Sequence, residues 1–536
     1  MTTAAGSAHH GQVNDLAPNR WTTYVREPID VAPGCRLETV IQPARLGGAN
    51  GIVWSPDGRL MVTQVFGSQV TAIDVDSCEH RPFAALGGGI CAPDDGAFGF
   101  DGTFFATEPM NATVSAREPN GTYRVLHDDL PGATGMTVSH DGRRLFVDEF
   151  RPGGRLLELD PAGERPPTVL ADDLAMPNAF AMGPDGALWF PQVLAGEIWR
   201  YDLDARRLER RFTDLATPTA VKFDAQGRLL TSEGGSGRLI RIDLATGARE
   251  TLAQVAVGID NFAIAADGRL FVSHFTDGRV AEVTGGVERV LSDSGLIGPF
   301  GLDRMTDGSL ITADALAVNR TDSMPGSDPR VIMSLLADLP GMAIDVAHLG
   351  GDPLVLLARG QVLRRSGDGR LDPIAGRLQD ATSMTSARDG GAFVVERGTG
   401  RVLHLDGAGG VVPVVAGLDR PRAVAEAADG SLWISRAGGL TSVANGHVVA
   451  SIEGFDDPHG IAVLDNEIVV AEPTNRRVVG VSRITGARRD LVTGAPLGLA
   501  VRDARAPHSF SPLLADGQSV LVGCDGDGSV RRLTIS

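Results

Sequence analysis

Short apolar runs, each closed by a polar turn, follow one another along the whole chain. Residues 50–64 read NGIVWSPDGRLMVTQ, 178–192 read NAFAMGPDGALWFPQ and 260–274 read DNFAIAADGRLFVSH. In each, an apolar strand enters an Asp-Gly turn, a second apolar strand follows, and a Gly-rich turn leads to a third. Asp-Gly between apolar runs is the signal of a tight antiparallel hairpin. Helical periodicity is nearly absent. The unit recurs about every 40 residues, the length of a four-stranded propeller blade. The predicted fold is therefore all-β and built of blades.

The turns set the register. They fall at Asp57-Gly58, Asp101-Gly102, Asp141-Gly142, Asp185-Gly186, Gln226-Gly227 and Asp267-Gly268, then at Asp307-Gly308, Asp389-Gly390, Asp429-Gly430 and Asp516-Gly517. Variant turns near Asp352 and Asn466 bring the count to twelve blades. Rings of about four to eight blades are usual, so two six-bladed propellers follow most naturally, with five plus seven or one large ring as the alternatives. The expected division is a polar tail over 1–22, a closing strand within 23–47, a first propeller over 48–297 and a second over 298–536. The chain ends on GSVRRLTIS, a third strand with no fourth, while CRLETVIQ near the N-terminus is a strand with no blade. Joining the two completes the last blade and covers an exposed edge. The first propeller is then inserted into the second.

Composition narrows the function. A net charge of −18 disfavours nucleic acid and anionic membranes as partners. No apolar run is long enough to span a bilayer. The N-terminus lacks the basic and apolar regions of a signal peptide, and the four cysteines show no CxxC spacing; both features lead to the expectation of a cytoplasmic protein with free thiols. Lys222 is the only lysine. That skew suggests a GC-rich bacterial genome and argues against Schiff-base chemistry.

Candidate chemistry comes from the mouth ends of the strands. The residue seven before each turn opens the innermost strand: Asn50, Asp94, Thr134, Asn178, Thr219 and Asp260 in the first half. The residue seven after the turn ends the next strand: Gln64, Glu108, Gln192, Glu233 and His274, with Glu149 joining after one inserted residue. In the second half the first set is Phe300, Met342, Thr382, Arg422, His459 and Leu497, and the second is Asp314, Arg359, Glu396, Arg436 and Glu472. Acid and base alternate in that last set, which reads as ion pairs closing a channel. The first channel is acid-rich and uncompensated, and clustered carboxylates need a cation, a shared proton or a raised pKa. The chemistry is therefore expected in the first propeller.

Residues 50–62 and the stretch PNAFAMGPDGALWF (177–190) resemble the SMP-30/gluconolactonase group and the related NHL and virginiamycin B lyase-type propellers. The resemblance implies one divalent cation on the axis, held here by Asn50, Asp94, Asn178 and Asp260; oxygen ligands favour Ca²⁺ or Mg²⁺. The chain departs from the group in having Asn50 where a Glu opens the first inner strand, and in the blade order of its Asn and Asp residues. It implies a metal-assisted lactonase or hydrolase acting on a small neutral or cationic substrate. His274 would be the base, and Glu233, Glu149 and Glu108 the other proton-moving groups. Gln64, Gln192, Thr134 and Thr219 would bind substrate. Other readings are a lyase, a metal-free cyclase or isomerase, and a non-catalytic ligand-binding propeller or scaffold.

Overall fold

The computed structural model describes residues 28–85, 88–322, 327–335, 337–407, 410–498 and 510–536. The expected tail, 1–22, and the start of the closing segment lie outside them. Twelve antiparallel sheets follow in sequence order. Blades 1 to 6 span 49–84, 96–127, 133–175, 181–212, 218–254 and 259–292, and blades 7 to 12 span 299–334, 343–375, 381–415, 423–453, 461–493 and 513–535. In each blade the first strand is innermost. The inner strand of blade 6, Ile259–Ile264, packs on that of blade 1, Ala49–Trp54, and the inner strand of blade 7, Pro299–Arg304, packs on blade 12. Two closed six-membered rings result.

Closure of the second ring uses the N-terminal strand. Cys35–Ile41 pairs antiparallel with Ser529–Ile535, matching Cys35 to Ile535 and Leu37 to Leu533. Val40 and Ile41 are buried at this seam with Leu296, Leu521 and Val530. Burying side chains of this size stabilises by about 1.5–3 kcal/mol each, which ties the two ends of the chain together. One feature went beyond the expectation: Asp30–Val31 adds a fifth strand to blade 11, against Arg488–Thr493.

Apolar residues alternate into the spaces between blades, and each space has its own core; Leu60, Val62 and Ile73 of blade 1 meet Phe271 and Val280 of blade 6. The Asp-Gly turns take their expected form. Gly58, Gly268 and Gly308 hold φ near +82° to +88°, a region closed to most side chains. All four cysteines are free thiols.

Candidate functional site

Two features shape the channels. The first is a register shift on the inner strand beside the mouth, between Ala49 and Ile52, Ala133 and Met136, Pro218 and Ala220, and Ile259 and Asn261. The same shift recurs between Pro299 and Gly301, Ala343 and Asp345, and Ala381 and Ser383. Such bulges re-aim the side chains they carry, and Asn50, Thr134, Thr219 and Asp260 sit in them. The second is a hydroxyl on the next strand that clasps the neighbouring blade. Thr107 Oγ1 donates to Thr134 O at 2.6 Å, Ser232 Oγ to Asp260 O at 3.2 Å and Ser273 Oγ to Asn50 O at 2.6 Å, closing the ring from blade 6 to blade 1.

The strand-end residues expected to do chemistry, His274 excepted, are engaged elsewhere. Gln64 Oε1 accepts the Gly47 N–H at 3.0 Å, Glu108 Oε1 that of Cys91 at 2.8 Å, Gln192 Oε1 that of Ala175 at 2.7 Å and Glu233 Oε1 that of Ala216 at 3.2 Å. Gly47, Cys91 and Ala216 belong to the segments that lead into the same blades, and Ala175 ends the outer strand of the preceding blade. The other oxygen of Glu108 accepts from Thr113 Oγ1 and Asn111 Nδ2, while the other glutamates face arginines of their own blade: Glu233 meets Arg238 at 2.7 Å, and Glu149 meets Arg151 at 2.7 Å and also Arg155. Burial works to raise the Glu149 carboxyl, but its bonds to Arg155 and Arg151 outweigh it and hold the pKa below the usual value. The second propeller repeats the arrangement. Glu396 accepts from Gln379 N and pairs with Arg401, and Glu472 accepts from Asp456 N and pairs with Arg477. The expected ion pairs across that channel are therefore pairs inside single blades. His274 is buried, and neither ring nitrogen has a partner among the described residues. Burial lowers its pKa, as does Arg279, against Asp277.

Of the expected metal ligands, Asn50 and Asp94 are brought together, with Asn50 Nδ2 donating to Asp94 Oδ2 at 3.2 Å. Asp94 also feels the charges of Asp260, Asp95 and Asp148, after burial itself, and its pKa stands well above the usual range. Burial takes Asp260 to about 7, aided by Asp95, and Asp148 to about 7. Thr134 Oγ1 donates to Asp148 at 2.9 Å, and Thr219 Oγ1 shares its proton with Ser232 Oγ at 2.8 Å. Asn178 is buried. Among the described residues no group of three or more His, Cys, Asp or Glu side chains is placed to hold a metal ion. The amide nitrogen of Asn50 turns toward Asp94, while its Oδ1 is buried with no partner among the described residues.

A resident cation is already there. Lys222, on the inner strand of blade 5, donates to Ile52 O of blade 1 at 2.9 Å. Blades 1 and 5 flank blade 6, so the side chain reaches past the inner strand of blade 6, over the Phe262 ring, to its other neighbour. Burial lowers the Lys222 pKa to about 8, and the charge of Asp95 opposes that fall. Burial in turn raises Asp95 to about 6, while Lys222 and the N–H groups of Gly96 and Met136 restrain it. The sequence signal was a single lysine inside an apolar run, PTAVKF.

The second channel contains a cavity of about 220 Å³. At its mouth Arg422 contacts His459 and Asp457, and Thr382 Oγ1 donates to Arg422 O at 2.7 Å. Burial raises the Asp457 carboxyl, but His459, Arg422 and Thr474 outweigh it and bring it to about 2. Arg422 Nε is buried and finds no partner among the described residues. Further along the inner strands lie Asp303, bonded to Ser386, and Asp345, which accepts from Val346 N at 2.8 Å and Met384 N at 2.7 Å. Burial lifts Asp345 to about 8 against those two donors.

No family model and no curated protein matches the chain. Solved structures similar to it include the extracellular domains of the B. thetaiotaomicron hybrid two-component systems BT3049 and BT4673. The first is 12% identical over 93% of this chain and 83% of that one, with a TM-score of 0.35. The second is 10% identical over 93% and 82%, with a TM-score of 0.34. A nidogen/laminin complex chain matches at 18% identity over 42% of this chain and 89% of its own, with a TM-score of 0.38. At these identities the likeness is one of fold. The β-propeller expectation stands, and membership of the SMP-30 or NHL groups is not shown. The expected cytoplasmic location is corrected: the B. thetaiotaomicron structures are extracellular domains, which runs against it.

Proposed function

We propose that this protein is a non-catalytic ligand-binding double propeller, with its ligand in the channel of the second propeller. The observation that carries the reading is the location of open space. The second channel holds a cavity of about 220 Å³ lined by Thr382, Ser386, Arg422, His459, Asp303 and Asp345. In the first, Lys222 reaches from blade 5 to blade 1. The lactonase and lyase readings drew on His274, Glu233, Glu149 and Glu108, and the three glutamates are held by backbone amides or arginines instead.

The ligand class follows from size and polarity. Pockets for drug-sized ligands span about 300–1,000 Å³, so this cavity suits a smaller polar metabolite. Arg422 Nε–H supplies a donor at the mouth, and the Asp303 and Asp345 carboxyls supply polar groups further in.

Native mass spectrometry of protein purified from its host, followed by thermal shift with a metabolite panel, tests the reading. Ligand at a hundredfold excess over Kd stabilises by about 2.7 kcal/mol. That raises the melting temperature by roughly 5–11 °C at about 2–4 °C per kcal/mol. Thr382→Trp, which fills the cavity, should abolish the shift. Binding that survives Thr382→Trp and is lost in Asp260→Asn would move the site to the first propeller and end the proposal.

A further inference from the structure

Every blade ends in an outer strand, and exposed edges of such strands are normally blunted by charge or proline. The outer strands show these devices nearly everywhere. Glu79–Ala84 carries Arg81 and Pro82, Tyr123–His127 carries Arg124, Thr168–Ala175 carries Asp172 and Asp173, and Arg207–Phe212 and Arg249–Gln254 are rich in arginine and glutamate. Arg289–Ser292 and Arg330–Ser334 begin on arginine and end buried. Leu371–Ala375 and Val411–Val415 have prolines at their centres, and Asp30–Val31 lies along the outer strand of blade 11. Blade 12 presents Arg36 and Glu38.

Blade 10 is the exception. Its outer strand, His447–Glu453, runs HVVASIE with six of its seven residues exposed. From Val448 to Ile452 it has no charge and no proline. Val448 is 52% and Val449 60% exposed. A register shift leaves Val449 as the extra residue, after which Ala450–Glu453 continue as a regular ladder against Gly439–Ser442. On the neighbouring blade Val411 and Val412 are exposed as well, so four of the twelve large apolar residues exposed among the described residues lie on two adjacent outer strands. The turn before Val448 reaches the neighbouring outer strand: a Cβ placed on Gly446 would stand 3.2 Å from Val414 O.

We infer that this edge is an interface between two copies of the chain, which pair antiparallel through His447–Glu453 about a two-fold axis. The self-complementary pattern selects a second copy over a foreign strand. Its middle is apolar and uncharged, and its ionisable side chains are confined to the two ends, His447 and Glu453, the latter facing Arg436 of its own blade. A two-fold axis sets the His447 end of one copy against the Glu453 end of the other, while the apolar middles meet. Isologous contact of this kind closes on itself and stops at a dimer. A stable interface buries about 1,200–2,000 Å². One short strand falls below that, so Val411 and Val412 must contribute.

Sedimentation velocity and light scattering on the full chain test the inference. The wild type should have twice the chain mass. Ala450→Lys, which places like charges together near the axis, should halve it with an unchanged circular dichroism spectrum. Val449→Lys serves as the second variant should the first fail to fold. Val412→Asp should weaken the dimer, and Leu194→Lys, at an exposed site on the first propeller, should leave it intact. A wild type that stays monomeric at its highest soluble concentration overturns the inference, as does a dimer that persists in Ala450→Lys or Val449→Lys.

Discussion

Replacing Glu233 distinguishes a structural cradle from a catalytic group. Its carboxylate accepts from Ala216 N at 3.2 Å, Ser236 Oγ at 2.7 Å and Arg238 Nε at 2.8 Å. Removing one member of a buried ion pair costs about 3–5 kcal/mol when the other charge is stranded. Arg238 is 40% exposed and can be rehydrated, so Glu233→Ala should cost less, about 2–3 kcal/mol. For a unit the size of one propeller this lowers the melting temperature by roughly 4–12 °C. Glu233→Gln keeps an acceptor for Ala216 N–H and should lose about half as much. Because Glu472 sits in the same arrangement with Asp456 N and Arg477, Glu472→Ala should destabilise its own propeller to a similar degree. Differential scanning calorimetry measures both. Unchanged melting in Glu233→Ala would refute the cradle. If a turnover were found that Glu233→Gln abolished at constant stability, the catalytic reading would be restored.

Three further outcomes are expected. The Asp148 and Asp260 carboxyls, raised to about 7 by burial, hold their protons in the folded state. The stability they confer is complete below about pH 4 and is lost as pH rises through about 7, so the first propeller should melt lower at pH 8 than at pH 5, and Asp260→Asn should flatten that slope. Lys222→Met removes the cation beside Asp95 and should destabilise the protein more at pH 8 than at pH 5, read by the same melting curves. Deleting residues 1–41 uncovers the Ser529–Ile535 edge and the seam filled by Val40 and Ile41. Proteolysis should then cut blade 12 rapidly, and an intact, soluble second propeller would count against strand closure.

The fold was legible because its signals are local. Asp-Gly turns fix hairpin register within a few residues, and a 40-residue period counts blades without any knowledge of how they pack. The missing last strand was legible from the same count. Which way a strand-end side chain points was not. Glu233 and Asp260 lie on different strands of neighbouring blades, and strands are spaced about 4.8 Å apart. Only the innermost strand walls the channel, so a residue one strand out turns to the lead-in segment and to Arg238. Lys222 was singled out as the only lysine, but its placement was not legible for a second reason. It depends on blades 1 and 5 flanking blade 6 in a closed ring, and no single repeat contains that relation.

The two propellers share the bulged inner strand and the cradled strand end, so function must come from what differs between them. In the first, Asn50, Asp94, Asp95 and Asp260 gather at the channel, and their charge is met from within, by retained protons and by Lys222. In the second, Asp457 balances Arg422 and His459 at the mouth. The same electrostatic requirement is met by a lysine and retained protons in one ring and by an ion pair at the rim in the other, and the cavity of about 220 Å³ lies in the second.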